Sequence, residues 1–198
     1  MNMIKYMICG ILGYLIGSFS FSITISRLVF HEDVRSQGSR NAGATNMARS
    51  FGVLPGVLTL VGDMLKAFAA VALGRLLCGE TGLAVAGIAC IIGHCYPVYY
   101  GFRGGKGVSA GIALVFCADW RTGIIAVLVF ALTVTLTKKV SPASILGAVA
   151  AAFFCVFSES PVSGMIMVVF TALLVIIRHK ENIRRLISGT EPDFRFKK

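Results

Sequence analysis

The stretch VLPGVLTLVGDMLKAFAAVALGRLL, Val53 to Leu77, decides the fold class. As a helix it spans the ~30 Å hydrocarbon core of a bilayer, and only Asp63 and Lys66 interrupt its middle. Six further apolar stretches flank it: Ile4–Val29, Leu83–Tyr100, Val108–Ala118, Gly123–Thr137, Pro142–Phe157 and Gly164–Ile177. Charged residues make up only 14% of the 198, against ~25% in a soluble domain, and 56% are apolar. Mean hydropathy is +0.81. These values exclude a soluble globular enzyme, a disordered chain and a coiled coil.

Topology follows from the basic residues. With seven crossings and the N-terminus outside, fifteen of the nineteen Lys and Arg fall on the cytoplasmic side. They are Arg27, Arg35, Arg40 and Arg49; Arg103 and Lys106; Lys138 and Lys139; and Arg178, Lys180, Arg184, Arg185, Arg195, Lys197 and Lys198. Lys5, Arg75 and Arg121 stay outside, and Lys66 lies within a span. If the short Val108–Ala118 stretch did not cross, the basic tail would move outside, against the positive-inside rule. The expectation is therefore an all-α integral membrane protein: a compact bundle of seven transmembrane helices, N-terminus outside, C-terminus cytoplasmic, with residues 1–198 forming one domain. The net charge of +10 reads as topogenic charge that also touches anionic lipid, not as a nucleic-acid surface.

The apolar run from Met7 to Ile25 exceeds a signal-peptide core and has no A-x-A-like site, so a cleavable signal is not expected. The six cysteines form no C-x-x-C and read as packing groups; no metal or cofactor is expected. Small residues in the spans, Gly10, Gly13 and Gly17 among them, suit close helix packing in lipid.

Chemistry concentrates on the inward side. Between Arg35 and Arg49 lie three arginines, two asparagines and three hydroxyls, interspersed with glycine. Such a density of donors suits an anion with several acceptor oxygens; the bland alternative is a solvated loop that caps a helix through Thr45 or Asn46. A second loop reads GHCYPVYYGFRGGKGVS, Gly93 to Ser109. Glycines around Lys106 at a helix start can form an anion-binding nest, or merely a flexible turn. The motif is not a Walker A loop, because Gly107 follows the lysine where Ser or Thr is required. Asp63 and Lys66, three residues apart, either pair with each other or contact substrate. Arg178, Asn182 and Arg185 share a helical face, with His179 alongside. Ser144 is polar within the sixth stretch, where back-bonding to its own helix is the simpler account.

Four motifs in order carry a resemblance over nearly the whole chain: Gly38 to Arg49, the Asp63/Lys66 pair, Gly93 to Pro97 leading into Gly104-Gly105-Lys106-Gly107-Val108, and Arg178 to Leu186. Together they resemble the bacterial membrane acyl-phosphate:glycerol-3-phosphate acyltransferases, the PlsY family. That resemblance implies transfer of an acyl group from acyl phosphate to the 1-hydroxyl of glycerol 3-phosphate, giving lysophosphatidic acid and phosphate at the cytoplasmic face of the bacterial inner membrane. It places Ser39, Asn41, Arg49, Lys106, Ser144, His179 and Asn182 around glycerol 3-phosphate. Gly104, Gly105, Lys106 and Gly107 would hold the acyl-phosphate phosphate. Arg40 stands where the family often has glycine, and Ser109-Ala110 replaces its usual Ala-Thr, so Ser109 would supply the hydroxyl contact.

No His-x-x-x-x-Asp and no G-x-S-x-G nucleophile elbow occurs, so a covalent serine intermediate has no support. Direct attack by the substrate hydroxyl is expected, with Ser39, Asn41 and Lys106 in the catalytic machinery. A substrate phosphate oxygen serves as base, or else His94. The competing function, a transporter or channel for phosphate compounds, predicts donors on both faces, whereas here they crowd one.

Overall fold

The computed structural model describes residues 2–194. Arg195, Lys197 and Lys198 of the basic tail lie outside the described residues. Among the described residues, every regular element is helical: α1 (Asn2–Ser18), α2 (Phe21–Phe30), α3 (Ala44–Phe51), α4 (Val53–Cys95), α5 (Val108–Ala118), α6 (Trp120–Thr137), α7 (Val140–Phe154), α8 (Val162–Arg178) and α9 (Lys180–Ile187).

The stretch expected as one first span is α1 and α2, interrupted at Phe19–Ser20, where the Ser20 hydroxyl accepts the Ile23 N–H. The second and third stretches are the two limbs of α4. They meet at a break where Cys78 leaves helical geometry and Gly79 takes φ +61°. A positive φ lets the chain reverse over two residues, which glycine accepts without a Cβ penalty. The limbs then run antiparallel, with Gly74 backed directly against Gly82. The third stretch stops at Cys95, not Tyr100; a single 3₁₀ turn, Val98–Tyr100, follows.

The core forms where α1 lies along the second limb of α4. Gly17 meets the Cys90 backbone and Gly93 meets the Tyr14 carbonyl, so a Cβ at either position would collide with main chain. Small residues permit that approach, which in lipid replaces the hydrophobic drive with close van der Waals contact. α5 is enclosed by α4, α6 and α8, while α6 packs on α7 and α7 on α8. α4 makes at most marginal contact with α6 and α7, so a gap remains between them.

By length and apolarity, four segments among the described residues qualify as membrane helices: Met3–Phe30, Val53–Tyr100, Trp120–Thr137 and Val140–Phe157. α8 with α9, bent by 55°, adds a fifth, and α5 is shorter. Basic and polar segments gather at one end of the bundle. Arg35 donates to Tyr100 O at 2.7 Å, Arg178 to Gly105 O at 3.2 Å, and the Phe194 N–H to Lys138 O at 2.8 Å. At the opposite end Ser160 donates to Ala118 O and Ser163 to Glu80 O.

Candidate active site

A cavity of ≈ 900 Å³ opens at the basic end and continues into the gap beside α6 and α7. Its mouth is polar: Ser39, Asn41 and Arg49 from the first loop and α3, Lys106 before α5, and His179, Asn182 and Arg185 at the α8–α9 bend. Its shaft is apolar, walled by Leu60 and Met64 of α4, Val115 and Phe116 of α5, Phe130 of α6 and Val168 of α8. One chamber thus offers anion donors at one end and a hydrocarbon lining at the other.

The first loop owes its shape to Asn46, which is 1% exposed. Its amide donates to Val34 O, Gln37 O and Asn41 O at 3.0–3.1 Å, and its Oδ1 accepts the Ser39 N–H at 2.9 Å. Asn46 therefore presents Ser39 and Asn41 to the cavity. The three arginines divide. Arg35 is bound by Asp33 and by the Tyr100 and Arg103 carbonyls. Hydrogen bonds from Arg35 lead the effects on Asp33 and outweigh its burial, holding that carboxyl well below its usual range. Arg40 is exposed and sits at φ +57°, which accounts for glycine suiting that position. Arg49 lines the cavity and forms no ion pair among the described residues.

The glycine loop departs from the nest expected of it. The Gly104 N–H donates to Cys95 O at 3.3 Å and the Gly105 N–H to His94 O at 3.1 Å. Arg178 takes their carbonyls at 3.4 and 3.2 Å and stacks over the Tyr96 ring. Gly104 and Gly105 therefore have no backbone donors left for a phosphate. Absence of a side chain matters there because Gly105 abuts the His94 imidazole and lies against the Ala42 carbonyl. The donors that remain beside this loop are the Lys106 ammonium and the first turn of α5, after Gly107 at φ +88°.

Two serines also differ from expectation. The Ser109 hydroxyl, expected on phosphate, donates to Asp63 Oδ2 at 3.0 Å, so its proton is committed. Ser144 back-bonds to Val140 O at 3.0 Å and faces the cavity only as an acceptor. His94 is wedged between Gly105 and Asp63, its Nδ1 3.6 Å from Asp63 Oδ1. Asp63 and Lys66 pair at 2.9 Å.

Sequence reading missed Glu191 and Ser141. Glu191, 7% exposed, accepts from Ser141, from Asn182 Nδ2 at 2.7 Å and from Arg185 Nε at 2.7 Å. Asn182 also donates to Ser141 at 2.6 Å and accepts from Lys106 Nζ at 2.5 Å. Burial opposes the Glu191 charge, but the hydrogen bonds outweigh it and hold the carboxyl below its ordinary value. Burial, with Arg185, Arg178 and Arg49 nearby, pushes Lys106 down to about 8, against the opposing pull of Glu191. Burial likewise pushes His179 down to about 4, so its ring is neutral near pH 7. Its Nδ1 lies 2.7 Å from Val175 O, which only a protonated Nδ1 can satisfy, leaving Nε2 as an acceptor.

A family profile described as glycerol-3-phosphate acyltransferase matches residues 7–189. The chain belongs to that family. The glycerol-3-phosphate acyltransferase of Finegoldia magna is 36% identical over 192 residues, covering 96% of this chain and 97% of the relative. That of Shouchella clausii is 41% identical over 186 residues, covering 90% and 91%. Among solved structures, the glycerol 3-phosphate form of PlsY, an integral membrane glycerol 3-phosphate acyltransferase, superposes with a TM-score of 0.90 at 35% identity over 96% of each chain. Its lysophosphatidic acid form gives 0.87 at 34%, over 96% of this chain and 95% of the other. The acyltransferase is thus a membrane enzyme of phospholipid synthesis.

Proposed function

We propose that the acyltransferase moves an acyl group from acyl phosphate to the 1-hydroxyl of glycerol 3-phosphate, releasing lysophosphatidic acid and inorganic phosphate. The observation that carries this reading is a cavity that joins a cationic mouth to an apolar shaft. Such a chamber fits an acyl phosphate with its chain in the shaft and its phosphate at the mouth, beside a second phosphate-bearing substrate.

Arg49, unpaired at the mouth, suits the glycerol-phosphate phosphate, with Ser39 and Asn41 on the same wall. Lys106 lies between the two substrates. His179, neutral and offering Nε2 as acceptor, suits a glycerol hydroxyl better than a phosphate oxygen, as does Ser144. The hydroxyl oxygen attacks the acyl carbonyl, the carbonyl carbon–phosphate oxygen bond breaks, and the proton passes to a substrate phosphate oxygen. Lys106 and the α5 N-terminus stabilise the charge that grows on the leaving phosphate. His94, packed between Asp63 and Gly105, is assigned to orienting the loop, not to proton transfer.

The same reading takes residues 1–198 as one domain with seven crossings: α1–α2, each limb of α4, α5, α6, α7 and α8. It places the N-terminus outside and the cavity mouth at the cytoplasmic face of the bacterial inner membrane. Clustering of the basic segments at the mouth end supports this orientation. The purified enzyme, given glycerol 3-phosphate with acyl phosphate, acyl-CoA or acyl-carrier protein, should release lysophosphatidate and phosphate efficiently only with acyl phosphate. Turnover with acyl-CoA and none with acyl phosphate would overturn the donor assignment.

A further inference from the structure

Asp63 lies in the middle of the first limb of α4, 1% exposed. A carboxylate at that depth is costly unless paired, so its partners show what it is for. Three side chains converge on it, of which His94 approaches without a hydrogen bond. Lys66 Nζ is 2.9 Å from Oδ1, His94 Nδ1 is 3.6 Å from the same oxygen, and Ser109 Oγ donates to Oδ2 at 3.0 Å. Lys66 alone balances the charge, and its ammonium also donates to Phe19 O at 2.6 Å, at the α1–α2 break. Neutralisation therefore requires neither His94 nor Ser109. Among the described residues Oδ1 has no aligned hydrogen bond, so the one directional bond the carboxylate accepts there is from Ser109.

His94 and Ser109 flank Lys106. The His94 carbonyl accepts the Gly105 N–H and its ring abuts Gly105, the residue before Lys106. Ser109 is in the first turn of α5, three residues after Lys106. Both sides of the lysine are thus referred to one buried carboxylate. The ammonium's partner, Asn182, belongs to α9 and cannot set where the Lys106 backbone stands.

We propose that Asp63 is a positioning residue of the acyltransferase: through its hydrogen bond from Ser109 and its close contact with the His94 ring it fixes segment 105–109 and so sets where the Lys106 ammonium stands in the cavity. Asp63 itself touches no substrate. The inference rests on the reading of Lys106 as a site residue given above. A displacement of ~1 Å in such a group costs about 100-fold, and the loss falls on kcat because the charge Lys106 meets develops in the transition state.

The test uses full-length purified enzyme with acyl phosphate and glycerol 3-phosphate, measuring kcat, both KM values and Tm. The variants are Asp63→Asn, Ser109→Ala and Lys106→Ala, and each of the first two combined with the third. Asp63→Asn should lower kcat at least about tenfold and Ser109→Ala about threefold or more, with each KM moving less than about threefold. Either change should cost less than about twofold once Lys106→Ala is present. A residue that merely holds helices together would cost the same factor with and without Lys106, in step with Tm. That additivity, or wild-type kcat in both single variants, overturns the proposal. If Asp63→Asn does not fold, Ser109→Ala, which removes one bond and keeps the ion pair, supplies the same comparison. Wild-type activity in Lys106→Ala would instead overturn the site reading beneath it.

Discussion

Glu191→Gln separates an electrostatic role of the C-terminal segment from a structural one. Glu191 accepts from Ser141, Asn182 and Arg185, and its charge raises the Lys106 pKa against burial and three nearby arginines. Glutamine keeps the shape and an acceptor oxygen but removes the charge, so Lys106 falls further below about 8. Lysine loses its proton as pH rises through its pKa, so the alkaline limb of the rate profile moves toward acid. With a pKa of about 8, half of Lys106 is charged at pH 8. Each unit of further fall is ~1.4 kcal/mol, and one unit leaves about a tenth charged at that pH. The variant should therefore lose about fivefold in relative rate at pH 8 and regain it near pH 6. The assay is kcat/KM for acyl phosphate from about pH 6 to 9 at constant ionic strength, with Tm taken at each pH. A loss that is uniform across pH, or an unmoved alkaline limb, would refute the reasoning and leave Glu191 as a tie between α7 and α9.

Arg49→Ala should raise the KM for glycerol 3-phosphate far more than that for acyl phosphate. A lost charge-assisted contact costs ~1.5–3 kcal/mol, roughly 10- to 150-fold; equal changes in both KM values would assign Arg49 to the fold. Gly105→Ala should lower kcat/KM at least about tenfold, ~1.4 kcal/mol, because its Cβ would press on the His94 ring and the Ala42 carbonyl. It should also destabilise by ~1–3 kcal/mol of overpacking. Gly101→Ala has open space around the new Cβ and meets only the strain of φ +64°, so its activity should stay near wild type. Comparable kcat/KM losses in the two glycine variants would show that the contact with His94 is not what matters.

The helices were legible because lipid simplifies the code: apolar runs of sufficient length must satisfy their own backbone. Their joints were less legible. Nothing in Ile4–Val29 marks the break at Phe19–Ser20, because its stabilising groups, the Ser20 cap and the Lys66 ammonium on Phe19 O, are respectively commonplace and far away in sequence. At the site, the sequence reads the polar residues as anion donors, but composition does not say which donors are already engaged. Arg35 and Arg49 look equivalent in the chain, yet Arg35 is held by Asp33 and two carbonyls, whereas Arg49 has no ion pair among the described residues. Gly104 and Gly105 looked like a nest because a nest and a closely packed strand demand the same residue. The two differ in where the N–H groups go, and here the partners are His94 O and Cys95 O. Glu191 escaped notice for the opposite reason. An acid in a basic tail, here one of three with Glu181 and Asp193, reads as a solvated charge, and only folding of segment 189–194 back onto α7 and α9 buries it among Ser141, Asn182 and Arg185. In a cavity proposed to hold anions, an internal carboxylate that raises the pKa of the lysine belongs to the site as much as the cations do.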